Sequence, residues 1–216
     1  MGLDQFGVFS PLFTSDPGYL ALLNLSSHQA NQVVFSVAEC CRKSTDPYQG
    51  IGRLLDEPNW RFHIVAAVAL SVLRYDEPTF IKLWTAFDSG SWVTPQLAVA
   101  AYLRDPSFSD NAKTRIESRC PVNTSRMLLM SPPERHSAAG PAGEPQRSAK
   151  AAAALVYLVS LKGQAEWLTT ELSSPDLGKL LSEDIDRADQ IAQYWLAELK
   201  NVLSAIAIKN NSGSRS

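Results

Sequence analysis

The 216-residue sequence predicts an all-α domain, a short α-solenoid of about four helix pairs followed by a long C-terminal helix. Three observations support this fold class. Apolar residues recur at helical spacing through most of the chain. Acidic-Pro pairs interrupt them at helix-length intervals. Trp60 and Trp92 precede alanine-rich segments 32 residues apart, and a period in the low thirties is typical of stacked helical repeats.

The N-terminal part, residues 1–25, is predicted to be an irregular segment followed by a short helix. Pro11 breaks any helix in the first part. Asp16-Pro17 has the composition of an N-cap and a first helical position. An apolar helix is then expected through Tyr19 and Leu23.

Residues 26–120 are predicted to hold the helical repeats. Ser26 or Ser27 can cap the first helix, because a serine side chain accepts a hydrogen bond from the free amides of a first turn. The apolar face of that helix is predicted at Ala30, Val34, Val37 and Cys41. Later helices are separated by the breaks Asp46-Pro47, Glu57-Pro58, Glu77-Pro78, Ser89-Gly90 and Asp105-Pro106.

Residues 121–148 interrupt the helical pattern as a proline-rich loop or insertion. It is interpreted as a plain linker or as a long functional loop. Within it, Met127, Leu128 and Met130 belong to an apolar run that is a candidate for docking onto the stack or onto a partner.

Residues 149–209 are predicted to form another helical repeat and a long amphipathic helix from about Leu180 to Ile206. Its apolar residues follow 4-3-4-3 spacing, which is typical of a heptad seam. If the helix folds onto the stack as a cap, Trp195 belongs to the core. If it pairs with another chain, Trp195 belongs to a dimer interface. Residues 210–216 are polar and are expected to form a disordered tail.

The stretch around Trp60 resembles the first helix of a bacterial HEAT repeat. An acidic-Pro-x-Trp entry, Glu57-Pro58-Asn59-Trp60, leads into an alanine-rich helix with Ala66, Ala67, Ala69 and Leu70. The segment from Trp92 keeps the tryptophan, Ala98 and Ala101. His63 stands where the repeat usually has arginine, and residues 121–148 have no counterpart in a regular repeat. The resemblance implies a solenoid with an extended binding surface, an architecture that hosts many functions.

Charge and composition argue against several classes of partner. The net charge of −2 gives no support for nucleic-acid binding. No apolar stretch approaches the roughly 20 residues of a membrane helix, so no membrane insertion is expected. The N-terminus lacks the pattern of a secretory signal, and the three cysteines show no disulfide framework. A cytoplasmic location is therefore expected.

The sequence shows no convincing catalytic or metal-binding set. His28, His63 and His136 have no metal-ligand spacing, and no metal or cofactor is expected. Cys120 and His136 have the residue types of a nucleophile and its base, but nothing besides their composition supports such a pair. The acidic residues from Glu183 to Asp189 are interpreted as solvated charge near a helix N-terminus.

The function that the sequence favours is a non-enzymatic scaffold or adaptor that presents a helical-repeat surface to a protein partner. One alternative is a HEAT-like enzyme that acts on DNA bases or on a bilin chromophore, since some proteins of this repeat type do so. Another is a helical subunit that homodimerises through its C-terminal helix. The candidate partner-binding residues are Trp60, His63, Trp92, Met127, Leu128, Met130 and Trp195.

Overall fold

The computed structural model describes residues 3–14, 18–123, 144–163 and 166–213. All regular secondary structure in these ranges is helical, which confirms the all-α prediction. Two 3₁₀ helices, Leu3–Phe13 and Gly18–Leu23, come first. The α-helices that follow are α1 (His28–Lys43), α2 (Pro47–Asp56), α3 (Trp60–Val72), α4 (Glu77–Asp88), α5 (Thr94–Arg104), α6 (Phe108–Glu117), α7 (Glu144–Ser160), α8 (Glu166–Leu172), α9 (Pro175–Ser182) and α10 (Ala188–Gly213).

Local capping explains where several helices begin. The Ser27 side chain accepts a hydrogen bond from the Ala30 amide at 3.0 Å, and α1 starts directly after it. Asp46 and Asp76 cap α2 and α4 in the same way. Each is followed by a proline in the first helical turn, where its missing N–H removes no helical hydrogen bond.

Alternate helices lie side by side in chain order. α1 contacts α3, α3 contacts α5, and α5 contacts α7, while α2 packs against both α3 and α4. The middle helices are therefore covered on more than one side, and every residue from 64 to 70 in α3 and from 94 to 101 in α5 is buried. Alanines make this possible because they let helix backbones approach closely.

The last helix makes contacts that a simple linear stack would not contain. α10 packs most extensively against α7, and it also packs against α5 and α1. Its heptad positions Ala188, Ala192, Trp195, Leu199 and Val202 are all buried within the chain. In a linear solenoid each unit touches only its neighbours. α10 thus packs across several helices of the first half of the chain.

The N-terminal segment, predicted to be irregular, is part of the hydrophobic core. Phe6, Phe9 and Leu12 of the first 3₁₀ helix are buried. The Phe6 ring centroid lies 4.4 Å from that of Phe62 in α3. Gly7 turns the chain here with a φ of 53°, a conformation that glycine adopts without steric strain.

Three predicted boundaries were wrong. The helix expected from Leu180 is two helices, because Arg187 has a φ of 54° and the Asp184 carboxylate accepts a hydrogen bond from the Ala188 amide, which starts α10 anew. α7 begins at Glu144, so residues 144–148 are helical and not loop. α10 continues to Gly213, into the predicted tail. Across the described ranges, no helix is both long and apolar enough to cross a membrane.

Candidate protein-interaction surface

Two tryptophans meet where α3 and α5 begin. Trp60 is the first residue of α3, and Trp92 lies two residues before α5. Because α3 and α5 pack side by side, their equivalent starts come together, and the two indole ring centroids are 5.0 Å apart at an interplanar angle of 54°. The sequence predicted the equivalence of these positions, and the structure shows that the two side chains touch.

This aromatic pair lies at the protein surface. Trp92 is 44% exposed, and Trp60 is partly buried beneath its neighbours. The ring of Tyr19 continues the row, with its centroid 6.0 Å from that of Trp60. Leu20, the next residue, is exposed. An exposed indole beside two further aromatic rings is an uncommon surface feature, since large aromatic side chains are mostly buried in folded proteins.

Trp84 and Trp195 show how different Trp92 is. Both are buried, and each donates its indole N–H to a partner within the chain: Trp84 to the Asp105 carboxylate at 2.8 Å, Trp195 to the Leu22 carbonyl at 3.0 Å. Trp92 donates no such bond to any residue that the structure describes. Its ring and its N–H are therefore both available to a partner.

His63 supports this surface from below. It is 1% exposed, so it does not contact a partner directly. Its Nε2 lies 2.6 Å from the Glu57 carbonyl oxygen, and its Nδ1 lies 2.8 Å from the Ser91 hydroxyl oxygen. A carbonyl oxygen only accepts, so Nε2 carries a proton and donates to Glu57, while Nδ1 pairs with the Ser91 hydroxyl, a group that can donate or accept. His63 therefore connects the turn before Trp60 with the turn before Trp92.

Two cations flank the tryptophan pair. The Lys150 Nζ lies 5.1 Å from the Trp92 ring centroid and 3.3 Å from the Asp186 carboxylate. The Arg61 guanidinium carbon lies 5.8 Å from the Trp60 ring centroid. We call this surface, formed by Tyr19, Trp60, Arg61, Trp92 and Lys150, the tryptophan edge.

Of the other predicted partner-binding residues, only Trp195 is among those that the structure describes. Trp195 is in the core, as expected if α10 folds onto the other helices of its own chain. Its indole N–H bonds to the carbonyl of Leu22, which is distant in sequence. Met127, Leu128 and Met130 lie outside the described residues. Lys150 was not among the residues that the sequence predicted for the site. A single lysine within the alanine run of α7 was the available signal, because a charge on a face of small apolar residues needs a partner.

A second concave surface lies between α4 and α6. It has a volume of about 400 Å³, and Trp84 and Arg115 are among its lining residues. Arg115 forms two hydrogen bonds of 2.7 and 2.8 Å with the Asp88 carboxylate, and its guanidinium carbon lies 4.2 Å from the Trp84 ring centroid. Asp105, which also lines this surface, accepts hydrogen bonds from Trp84 and Asn111, so most of the charged groups at this surface already have partners within the chain.

Cys41 and Cys120 are buried and are poor nucleophiles. Burial raises the pKa of the Cys41 and Cys120 thiols to about 12, so both are protonated at neutral pH. His136, the proposed companion of Cys120, lies outside the described residues. Within the ranges that the structure describes, no three histidine, cysteine, aspartate or glutamate side chains are grouped so that they could hold a metal ion.

Comparison with known proteins does not identify a function for this surface. No protein family, no curated protein and no solved structure matches the chain. Its function has to be inferred from the tryptophan edge and the residues that hold it in place.

Proposed function

We propose that the chain is a non-enzymatic protein-interaction module that binds a segment of a partner protein on the tryptophan edge. The exposed indole of Trp92, packed against Trp60 and supported from below, carries this proposal. Tryptophan is enriched among the few residues that contribute most of the binding free energy of interfaces. Its ring offers a large apolar area, and its N–H offers a hydrogen bond at the rim.

The surface is held in place before any partner arrives. His63 bonds to the turns before both tryptophans, and the two helices that follow are packed together. A surface that is already ordered loses little conformational entropy on binding, so more of the contact energy appears as affinity. This favours recognition of a partner segment by a preformed site.

The polar residues around the edge favour binding over catalysis. Both ring nitrogens of His63 are engaged with the turns that it connects. The Lys150 ammonium group is engaged with Asp186 and the Trp92 ring. A general base or nucleophile must be free to come within hydrogen-bonding distance of a reacting group. The side chains of His63 and Lys150 instead stabilise the surface.

The test compares Trp92→Ala with Ile81→Ala in affinity purification from native cells, followed by identification of bound proteins. Ile81 is a matched control, because it is also a large apolar side chain on the surface, 61% exposed, on a different helix. We expect a stoichiometric partner with the unmodified chain and with Ile81→Ala, and its loss with Trp92→Ala. Equal recovery with both variants, or no stoichiometric partner for the unmodified chain, would contradict the proposal. Circular dichroism checks that both variants are folded.

A further inference from the structure

We infer that the tryptophan edge selects partner segments in which a carboxylate side chain accompanies an apolar one, and that Arg61 binds the carboxylate. This inference rests on the proposed function, since it names the chemistry of the partner at the same surface. The apolar side chain would pack on Trp92, and the carboxylate would pair with the guanidinium beside Trp60.

Among the arginines that the structure describes, Arg61 differs from most in having no hydrogen-bond or ion-pair partner for its side chain. Arg104 donates to the Ser71 carbonyl, Arg115 pairs with Asp88, and Arg119 pairs with Glu171. The Arg61 side chain forms no hydrogen bond or ion pair with any described residue, and its Nε is buried without an acceptor. The other two guanidinium nitrogens, Nη1 and Nη2, are not among the buried atoms that lack a partner, so a ligand carboxylate would supply an acceptor to them at the surface.

The surroundings of Arg61 also favour an anion. The edge lies at the N-terminal ends of α3 and α5, where the helix dipoles are positive. Lys150 is 7% exposed and its ammonium group pairs with Asp186, which largely cancels its charge, so it offers a partner no free donor. The free cationic group that a partner would meet at the edge is therefore the guanidinium of Arg61.

The single guanidinium favours a carboxylate over other anions. Phosphorylated segments are usually bound by clusters of arginines, because the phosphate carries close to two negative charges. At this edge, only Arg61 lacks a partner among the cations that the structure describes. A nucleic-acid backbone needs several cations along its path, and the chain has a net charge of −2. One carboxylate matches one guanidinium in charge and in planar geometry.

The experiment is selection from a phage library of random peptides, performed separately with the unmodified chain, Arg61→Gln and Trp92→Ala. For the unmodified chain we expect enriched peptides with aspartate or glutamate within a few residues of an aromatic or aliphatic residue. The best peptide is then synthesised with its glutamate or aspartate, with the corresponding amide, and with phosphoserine at that position. Replacing the acid by the amide should weaken binding to the unmodified chain by about 10- to 100-fold, and binding to Arg61→Gln by less than about 3-fold.

The outcomes separate the two proposals. If Trp92→Ala enriches the same peptides as the unmodified chain, or if no peptide is enriched at all, the proposed function itself fails. If the unmodified chain selects apolar peptides without acidic residues, the proposed function stands and the inference about Arg61 fails. The inference also fails if the amide peptide binds as well as the acid, if the phosphoserine peptide binds more tightly, or if single-stranded DNA displaces the peptide.

Thermal unfolding shows whether Arg61→Gln is folded, and Arg61→Lys provides a second variant if it is not. Arg61→Lys keeps the charge but loses the planar donor group, so it should retain part of the preference for the acidic peptide. An unchanged preference in both variants would contradict the role of Arg61.

Discussion

Replacing Trp195 tests whether α10 belongs to the core of a single chain. The side chain is 0% exposed, and its indole N–H donates to the Leu22 carbonyl at 3.0 Å. Truncating a buried tryptophan to alanine costs about 3–5 kcal/mol of folding free energy, which includes the cavity left behind. The stranded carbonyl places Trp195→Ala near the upper end of that range. Trp195→Phe keeps most of the apolar volume and loses the hydrogen bond, so about 1–2 kcal/mol is expected.

Urea denaturation followed by circular dichroism measures these differences. Tyr194→Phe is the matched control on the same helix, because the Tyr194 side chain is partly exposed and only its hydroxyl bonds to Asn24 and Ser26 are lost. It should cost about 0.5–1.5 kcal/mol. A cost below about 1 kcal/mol for Trp195→Ala would refute its place in the core. So would a stability that rises with protein concentration, since that behaviour is expected of a helix buried between two chains.

Three further predictions concern His63, Gly90 and the three cysteines. His63→Leu leaves a buried carbonyl and a hydroxyl without partners and should cost about 2–4 kcal/mol in urea denaturation; a change below about 0.5 kcal/mol would show that these bonds do not matter. Gly90→Ala should lower the free energy of unfolding by about 1–3 kcal/mol, because the φ of Gly90 is +72° and an added Cβ would lie 2.9 Å from a methyl carbon of Val122. An unchanged melting temperature would contradict this. Iodoacetamide at pH 8 should label half-buried Cys40 before Cys41 and Cys120 in the folded protein, with equal labelling in urea, as read by mass spectrometry. Labelling of folded Cys120 as fast as that of Cys40 would contradict the burial of Cys120. Burial also raises the pKa of the Cys41 and Cys120 thiols from 9.0 to about 12. The free energy of folding that these buried neutral thiols contribute is therefore complete below pH 9 and is lost as the pH rises towards 12.

Helix boundaries were predictable where the signal is local. Ser27, Asp46 and Asp76 each start a helix through a hydrogen bond to an amide three residues later, and that chemistry needs no tertiary contact. The proximity of Trp60 and Trp92 was suggested by their spacing of 32 residues, and their rings do meet, although Trp60 is the first residue of its helix and Trp92 lies two residues before its own.

Features that depend on distant contacts were not predictable. The N-terminal segment carries Pro11 and lacks a helical period, yet Phe6 is buried against Phe62 of α3, which lies 56 residues later in the chain, and Phe9 is buried as well. The break before Ala188 was missed because the heptad pattern continues through it. Spacing alone does not reveal that Asp184 caps a new helix.

The pairing of charges could not be predicted either. Arg115 and Arg119 bind carboxylates within the chain while Arg61 does not, and nothing in their sequence positions distinguishes them in this respect. The set of residues that forms the tryptophan edge, and the position of His63 between the turns before Trp60 and Trp92, depend on which turns lie together in three dimensions.

The most direct test of the tryptophan edge uses the five tryptophans of the chain as probes in a ¹H–¹⁵N spectrum of the indole groups. Each signal is assigned by replacing one tryptophan with phenylalanine, and the spectrum is then followed as a selected peptide is added. We predict that the signals of Trp60 and Trp92 shift with peptide concentration while those of buried Trp84 and Trp195 stay in place. Unmoved Trp60 and Trp92 signals, with shifts confined to the other indoles, would contradict the account.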